Sequence, residues 1–344
     1  QEGMKEIDER YPRAGIQDYI DHIDHAVRVA GIDHVGIGTD FDGGGGIPGF
    51  DDHSEAASVT VELVRRGYSE DEIAKIWSGN LLRVWREVER VAAAADRVVD
   101  VRDFGAVGDG KTLSTEAIQK AIDRCSAQGG GTVRLPKGRW LSGTVYLASH
   151  VTLRLESGAT LLGSRNPDDY AQPRKPPGDS EGKSYRTWAL IAGENLEHVA
   201  ICGEGTIDGQ GDAFRWKDRP RPKGIYLTRC RDVVVEDVKM RHAGSWMQHY
   251  RQCDRVTIRG IDVFNHAAYN NDGLNVDSSR DVVISGCRVD SDDDGIVLKS
   301  LSTRPCENVT VKDCTVSSHC NALKMGTESG GGFKNVTVTD CTVF

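Results

Sequence analysis

Aromatic side chains are scarce in this sequence, 6% of 344 residues, and no apolar run approaches the roughly 20 residues that a membrane-spanning helix needs. Basic excess is lacking as well. The 43 Lys and Arg stand against 52 Asp and Glu, a net charge of −9, which argues against a general nucleic-acid binder, whose phosphate contacts need a basic surface. An anionic sugar fits such a balance only if lysines or arginines gather at its site. The nine cysteines are an odd number without a Cys-x-x-Cys pair, which speaks against zinc and against a full disulfide framework. The chain begins Gln1-Glu2-Gly3, without the basic and apolar leader of a signal peptide. What is present is 39 glycines, 38% hydrophobic and 28% charged residues, the composition of a globular protein of one elongated or two domains.

Residues 1–96 read as mostly helical. Ile16, Tyr19, Ile20, Ile23, Ala26, Val27 and Ala30 fall at helical spacing. Gly31 to Gly43 reads as one short apolar strand that ends in Asp40, Asp42 and glycine. Ser69 and Glu72 form a capping-box pattern ahead of a helix over about 70–77, and a further helix is expected over about 80–95. The runs His22-Ile23-Asp24-His25, Val35-Gly36-Ile37-Gly38-Thr39-Asp40-Phe41-Asp42-Gly43 and Gly79-Asn80-Leu81-Leu82-Arg83-Val84-Trp85 resemble the carboxyl-terminal end of the membrane (renal) dipeptidase family. That resemblance implies a fragment, over residues 1–92, of a zinc-dependent α/β barrel, with Asp40 matching the acidic residue that contacts the substrate amine. The family's metal ligands lie in earlier strands, and a zinc site needs three or four converging ligands. His22, His25, His34 and His53 therefore read as ordinary helix or loop residues. No metal and no cofactor are expected, and dipeptidase function would require the rest of a barrel from elsewhere.

Gly105-Ala106-Val107-Gly108-Asp109-Gly110-Lys111-Thr112 satisfies the phosphate-binding pattern GxxxxGK[ST], with a strand before it and a helix over Thr115 to Cys125 after it. A nucleotide-binding domain would continue with alternating strands and helices. Almost no helical periodicity follows Cys125. The simpler reading is a glycine turn leading into an amino-terminal capping helix.

From Gly129 the pattern is short strands divided by Gly, Asn and Asp turns. The segments 197–201, 231–235, 254–258, 280–284, 307–311 and 334–338 are alike, and on their shared valine the steps are 34, 23, 26, 27 and 27. Coils of that length with three short strands each fit a parallel β-helix. Cys287, Cys314 and Cys341 recur at intervals of 27 and read as stacked core residues. Asn308 and Asn335 lie in formal glycosylation sequons, yet fall at one repeat position and read as strand-entry residues. In this register Asp272 and Asp294 occupy the same place in consecutive coils, with Asp293 beside them. Neighbouring carboxylates raise one another's pKa, so the three form either a solvated outer face or an acid/base cluster of the kind glycoside hydrolysis uses.

Phe104-Gly105-Ala106-Val107-Gly108-Asp109-Gly110, Gly129-Gly130-Gly131-Thr132-Val133, Gly203-Glu204-Gly205-Thr206-Ile207-Asp208-Gly209-Gln210-Gly211, Asn271-Asp272-Gly273 and Asp293-Asp294-Gly295-Ile296-Val297-Leu298-Lys299-Ser300 together resemble glycoside hydrolase family 28, the polygalacturonases and relatives. The resemblance spans residues 98–344. It implies a right-handed parallel β-helix over 97–344 that cleaves α-linked galacturonan or rhamnogalacturonan with inversion, acting on pectic poly- or oligosaccharide outside the cytoplasm. Carried over by motif, Asp293 is the general acid with a raised pKa, while Asp272 and Asp294 hold and deprotonate water. Lys299, read as one residue beyond its strand, is either a partner for a substrate carboxylate or a solvated lysine.

Two departures weaken the match. The family's Gly-His-Gly turn is replaced by Cys320-Asn321-Ala322-Leu323-Lys324. Asn321 stands in the histidine's place, His319 is displaced by two residues, and Lys324 can supply part of the missing positive charge. The chain also stops at Phe344 before an expected Arg-x-Lys motif, which leaves an open pairing edge prone to self-association. A catalytically weak, polysaccharide-binding β-helix is the alternative. No nucleic-acid or membrane partner is expected, and the Pro- and Lys-rich stretch 166–184 reads as a cleft rim or a disordered loop.

Overall fold

The computed structural model describes residues 14–95, 97–171, 188–215 and 221–344. The chain divides into two compact units, Gln1–Ala93 and Ala94–Phe344.

In the first unit the amphipathic helix Ile16–Ala30 buries Ile20 and Ile23 against Val35, Phe50, Val59, Leu63, Ile73 and Ile76. The helix Ala56–Arg65 supplies Val59 and Leu63. Ser69 caps the helix Glu70–Ala74: its hydroxyl accepts from the Glu72 amide at 3.3 Å, and the Glu72 carboxylate accepts from the Ser69 amide at 2.8 Å. A wide turn, Lys75–Gly79, leads into the helix Asn80–Ala95. The strand expected over 31–43 does not form. A short 3₁₀ turn, Ile32–His34, and irregular chain stand there, because no parallel neighbour lies alongside among the described residues. Asn80 instead pins the segment, its side-chain amide donating to the carbonyls of Ile32 at 2.7 Å and Val35 at 2.8 Å.

The second unit winds as a right-handed parallel β-helix with sheets of nine, eight and seven strands. One coil near its carboxyl-terminal half runs Asp254–Arg259 in the first sheet, Asp262–Asn265 in the second and Leu274–Asp277 in the third. The next two coils are Arg280–Ser285, Arg288–Ser291, Ile296–Ser300 and Cys306–Lys312, Thr315–Ser318, Leu323–Ser329. The recurring valine is a rung of the first sheet, Val233, Val256, Val282, Val309 and Val336 standing in register. All but Val336 are at most 1% exposed, inside a single apolar core. At about 1.5–3 kcal/mol for each buried Val, Ile or Leu, this ladder is the main reason the coils stack.

Corners are made by single left-handed residues. Asp237, Gly260, Gly286, Asp313 and Asp340 turn the chain from the first sheet to the second, all with φ between 53° and 62°. Asn308 and Asn335 are also left-handed at their strand entries and bond along the stack: Asn335 to Asn308 at 2.9 Å and Asn308 to Asp281 at 2.8 Å. Cys287 and Cys314 are buried and Cys341 half-buried. The helix Thr115–Ala127 packs Ile118, Ala121, Ile122 and Cys125 over the first coil. The glycine turn before it has no seat for a phosphate. The Asp109 carboxylate already accepts the Lys111 and Thr112 amides, each at 2.8 Å. Of the loop expected at 166–184, Pro167–Asp169 forms a 3₁₀ turn, and 172–187 lie outside the described residues.

Candidate active site

The loops that enter the third sheet bring the acidic residues together. Leu274, Ile296 and Leu323 are paired rungs, so Asp272, Asp294 and Asn321 fall in one column two residues earlier. Backbone bonds hold that column: the Gly273 amide donates to the Asp294 carbonyl at 2.9 Å, and the Gly295 amide to the Asn321 carbonyl at 2.8 Å. The glycines are required by space. A Cβ on Gly273 would lie 2.3 Å from Val289 Cγ1, and one on Gly295 2.4 Å from the Ala322 carbonyl oxygen. Asn265 and Asn271, both fully buried, fasten the loop before Asp272. Asn265 donates to the carbonyls of Ser245 and Asp272, each at 3.0 Å, and Asn271 to those of Ala243 at 3.0 Å and Ser245 at 2.9 Å.

The three carboxylates have unlike surroundings. Asp272 is 2% exposed. Burial pushes its carboxyl up to about 7; Lys299 opposes the shift, while Asp293 and Asp294 add to it. Asp294 is 3% exposed, but Asn321 donates to its Oδ1 at 2.7 Å and Lys324 Nζ to its Oδ2 at 2.6 Å. Asp293 is half-buried, with the Asn270 side chain donating to its carboxylate at 3.2 Å. Asp272 is the carboxyl whose proton affinity burial raises, and among the described residues no cation lies as close to it as Lys324 does to Asp294.

Lys299 also differs from expectation. Lys299 lies within the strand Ile296–Ser300 and is 4% exposed, so it is neither past the strand nor solvated. Its Nζ meets Glu328 at 3.0 Å and sits 4.8 Å from the Trp246 ring centre. Lys324 is engaged by Asp294, and that contact holds its pKa above the ordinary lysine value. Asp40 belongs to the first unit, where it adopts φ 48° before the turn Phe41–Gly43. Its carbonyl accepts the Gly43 and Gly45 amides, each at 2.9 Å.

The third sheet carries a polar group that the sequence reading missed. Lys223 Nζ lies 2.7 Å from His249 Nδ1, and His249 Nε2 lies 3.2 Å from Asp277 Oδ2. Lys223 also stands 4.3 Å from the Trp246 ring centre. Burial draws Lys223 down to about 7, and burial with the nearby lysine draws His249 down to about 3. His249 is then a neutral ring that donates Nε2–H to Asp277. Asp277, fully buried, also accepts from Leu301 N at 2.9 Å and Ser278 Oγ at 2.8 Å. Tyr250 and Val276 point into the core between these residues, so the alternation inside each strand was the available signal.

A model described as glycosyl hydrolases family 28 matches residues 125–344, more than half of the chain. The chain belongs to this family. A probable polygalacturonase of Vitis vinifera is 35% identical over 214 residues, 58% of this family 28 chain and 43% of that protein. An exo-poly-alpha-D-galacturonosidase of Dickeya chrysanthemi is 38% identical over 138 residues, covering 38% of this chain and 22% of that one. The chain therefore spans less than half the length of these relatives. Among solved structures, a hyperthermoactive exopolygalacturonase from Thermotoga maritima superposes with a TM-score of 0.65 at 27% identity, over 74% of this chain and 69% of that one. A family 28 exopolygalacturonase from Yersinia enterocolitica, at 24% identity, shares the fold with a TM-score of 0.62, over 72% and 55%.

Residues 5–98 match a second model, membrane dipeptidase (peptidase family M19). A dipeptidase of Claviceps purpurea is 37% identical over 90 residues, 26% of this chain and 21% of that one. This stretch is the amino-terminal part of the family 28 chain, and the expectation that it is a carboxyl-terminal fragment is withdrawn.

Proposed function

We propose that this family 28 chain hydrolyses an α-linked, galacturonic-acid-containing polysaccharide of the pectic class by single-displacement acid/base chemistry, outside the cytoplasm. The observation that carries the reading is the Asp272–Asp294 column with Asp293 at its exposed side. Inverting hydrolysis needs one carboxyl that keeps a proton and another that is ionised to activate water. The cluster meets both demands. One proton is held up to about pH 7, on Asp272 in the resting arrangement, and in interacting carboxyls such a proton belongs to the set. Asp294 has Lys324 and Asn321 to support its charge. Asp293, the half-exposed member, is the one able to reach a leaving oxygen, so it is assigned as general acid, with Asp272 and Asp294 about the water.

Lys299 and Lys324 supply positive charge beside the column, and Lys223 extends it along the third sheet. Asn321 orients Asp294 where the family's histidine would stand. A domain boundary at residues 96/97 belongs to the same proposal, supported by the two compact units and by separate family matches. No helix of the described residues is long and apolar enough to cross a membrane.

The test is reducing-sugar release from polygalacturonate and rhamnogalacturonan by the wild type and Asp293→Asn, with the product anomer followed by NMR. A loss of about 10²–10⁴-fold is expected for removal of a general acid. Equal release by both proteins, or a product of retained configuration, would overturn the assignment.

A further inference from the structure

A second column of chemistry-bearing residues stands at the corner after the second sheet. Asn265, Ser291 and Ser318 are paired rungs, so the residues that follow them, His266, Asp292 and His319, come from three consecutive coils at one level of the wall. The Asp292 amide donates to the Asn265 carbonyl at 3.1 Å, and the His319 amide to the Ser291 carbonyl at 3.2 Å, which fixes the stacking. The two imidazole rings are 5.2 Å apart. One ligand atom from each of the three residues lies within 4.8 Å of the others.

His266 Nε2 is 2.8 Å from Asp290 Oδ1, which leaves Nδ1 as the ring nitrogen turned toward Asp292. This Nδ1 faces Asp292 Oδ1 at 3.8 Å. That distance is too long for a hydrogen bond. The same Asp292 oxygen is 2.9 Å from His319 Nδ1. A cation between the three would be met by one ligand atom from each. Zinc takes nitrogen and oxygen ligands at about 2.0–2.2 Å, which in a tetrahedron separates the ligand atoms by roughly 3.4 Å. The His319 side chain, 73% exposed, has the freedom to close the remaining gap. Asp290 supplies the carboxylate that metal-bound histidines receive on their other nitrogen, where it fixes the tautomer and raises ligand basicity.

We propose that His266, Asp292 and His319 form a binding site for a divalent ion of the zinc or cobalt class, with Asp290 as the supporting carboxylate. Two imidazoles exclude calcium and magnesium, which take oxygen ligands. Three protein ligands leave a fourth position open to water. The ion would tie three coils together beside the catalytic loop, since Asp292 precedes Asp293 directly.

The test is equilibrium dialysis of the full chain against Co²⁺ or Zn²⁺, with the visible absorption of bound cobalt as the reporter of nitrogen ligation. The wild type is expected to take up one equivalent with cobalt absorption, and His319→Gln to lose it. Asp290→Asn, which leaves all three ligands in place, should weaken binding by about 10–100-fold. His25→Gln, at an exposed histidine of the first unit, should bind as the wild type does. Absence of a tight equivalent in the wild type, equal binding by His319→Gln, or loss in His25→Gln would each overturn the site. Because the readout is metal uptake, its failure leaves the glycosidase reading untouched.

Discussion

Asp272 sits one rung above Asp294, tied to it by the Gly273 amide, which donates to the Asp294 carbonyl at 2.9 Å. Both side chains are almost wholly withdrawn from water, at 2% and 3% exposure. Among the described residues only Asp294 of the two has a cation within hydrogen-bonding distance, Lys324 at 2.6 Å. Two like charges one strand spacing apart, about 4.8 Å, are costly in such a place, and the proton settles on the member without the close cation.

That asymmetry predicts a pH dependence of stability. Asp272 binds its proton more tightly in the folded chain, at about 7 against an ordinary 3.8. Between those values the folded state holds the extra proton, so stability falls as pH rises through the window. Asp272→Asn removes the effect, which is worth at most roughly 4 kcal/mol. The variant should melt close to the wild type at pH 4 and well above it at pH 8. Parallel melting curves for the two proteins between those pH values would show that Asp272 does not carry the proton.

The same proton should appear in the kinetics. If the cluster must hold it for leaving-group protonation, kcat/KM falls as pH rises through about 7. Asp272→Asn should move that alkaline limb, whereas Asp293→Asn should depress the rate at every pH. An alkaline limb that stays in place in Asp272→Asn would separate the buried proton from catalysis.

Lys324→Gln leaves Asp294 nearly buried and without its cation. Losing one partner of a fully buried ion pair costs about 3–5 kcal/mol. Lys324 is 26% exposed, and solvent reduces the cost to about 2 kcal/mol. Denaturant unfolding at pH 7 measures it directly. Lys324→Arg should recover most of the loss, and a Gln variant as stable as the wild type would show that water already screens Asp294.

How much of this was legible in the sequence follows from the kind of periodicity each feature has. The valine ladder and the Asp272–Asp294–Asn321 column could be read because a coil repeats at a nearly fixed step. Once Val282 and Val309 align, every neighbour in the coil aligns with them. Lys299 was misread because the groups around it, Glu328 and Trp246, come from other coils, and the register shifts between Leu298 and Ser300. The Lys223–His249–Asp277 group was missed because it joins three coils whose lengths differ, and because its members alternate with core residues such as Tyr250. The strand expected over 31–43 had the right apolar pattern but, among the described residues, no neighbour to pair with. Likewise, spacing along the chain argued against a metal, whereas His266, Asp292 and His319 converge across coils, where local spacing says nothing.

Two glycines of neighbouring corners make opposite predictions. At Gly286 φ is 61° with nothing within 4 Å of an added Cβ, and the equivalent corners are held by Asp237, Asp313 and Asp340. Asn, which tolerates the left-handed region, should replace Gly286 with a change within about 1 kcal/mol, and with a gain if the loss of unfolded-chain freedom dominates. At Gly295 the obstacle is contact. An added Cβ would fall 2.4 Å from the Ala322 carbonyl oxygen and 2.5 Å from Val316 Cγ1, and the backbone on which Asp294 is mounted must shift to relieve it. Overpacking of this kind costs about 1–3 kcal/mol, and the Asp272–Asp294 column moves with it. Gly295→Ala should therefore lose stability and, in protein that remains folded, lose activity beyond what the melting temperature explains. Gly286→Asn should keep both. If Gly295→Ala retains full activity in its folded fraction, the close approach of the Asp294 and Asn321 loops is not needed for the chemistry.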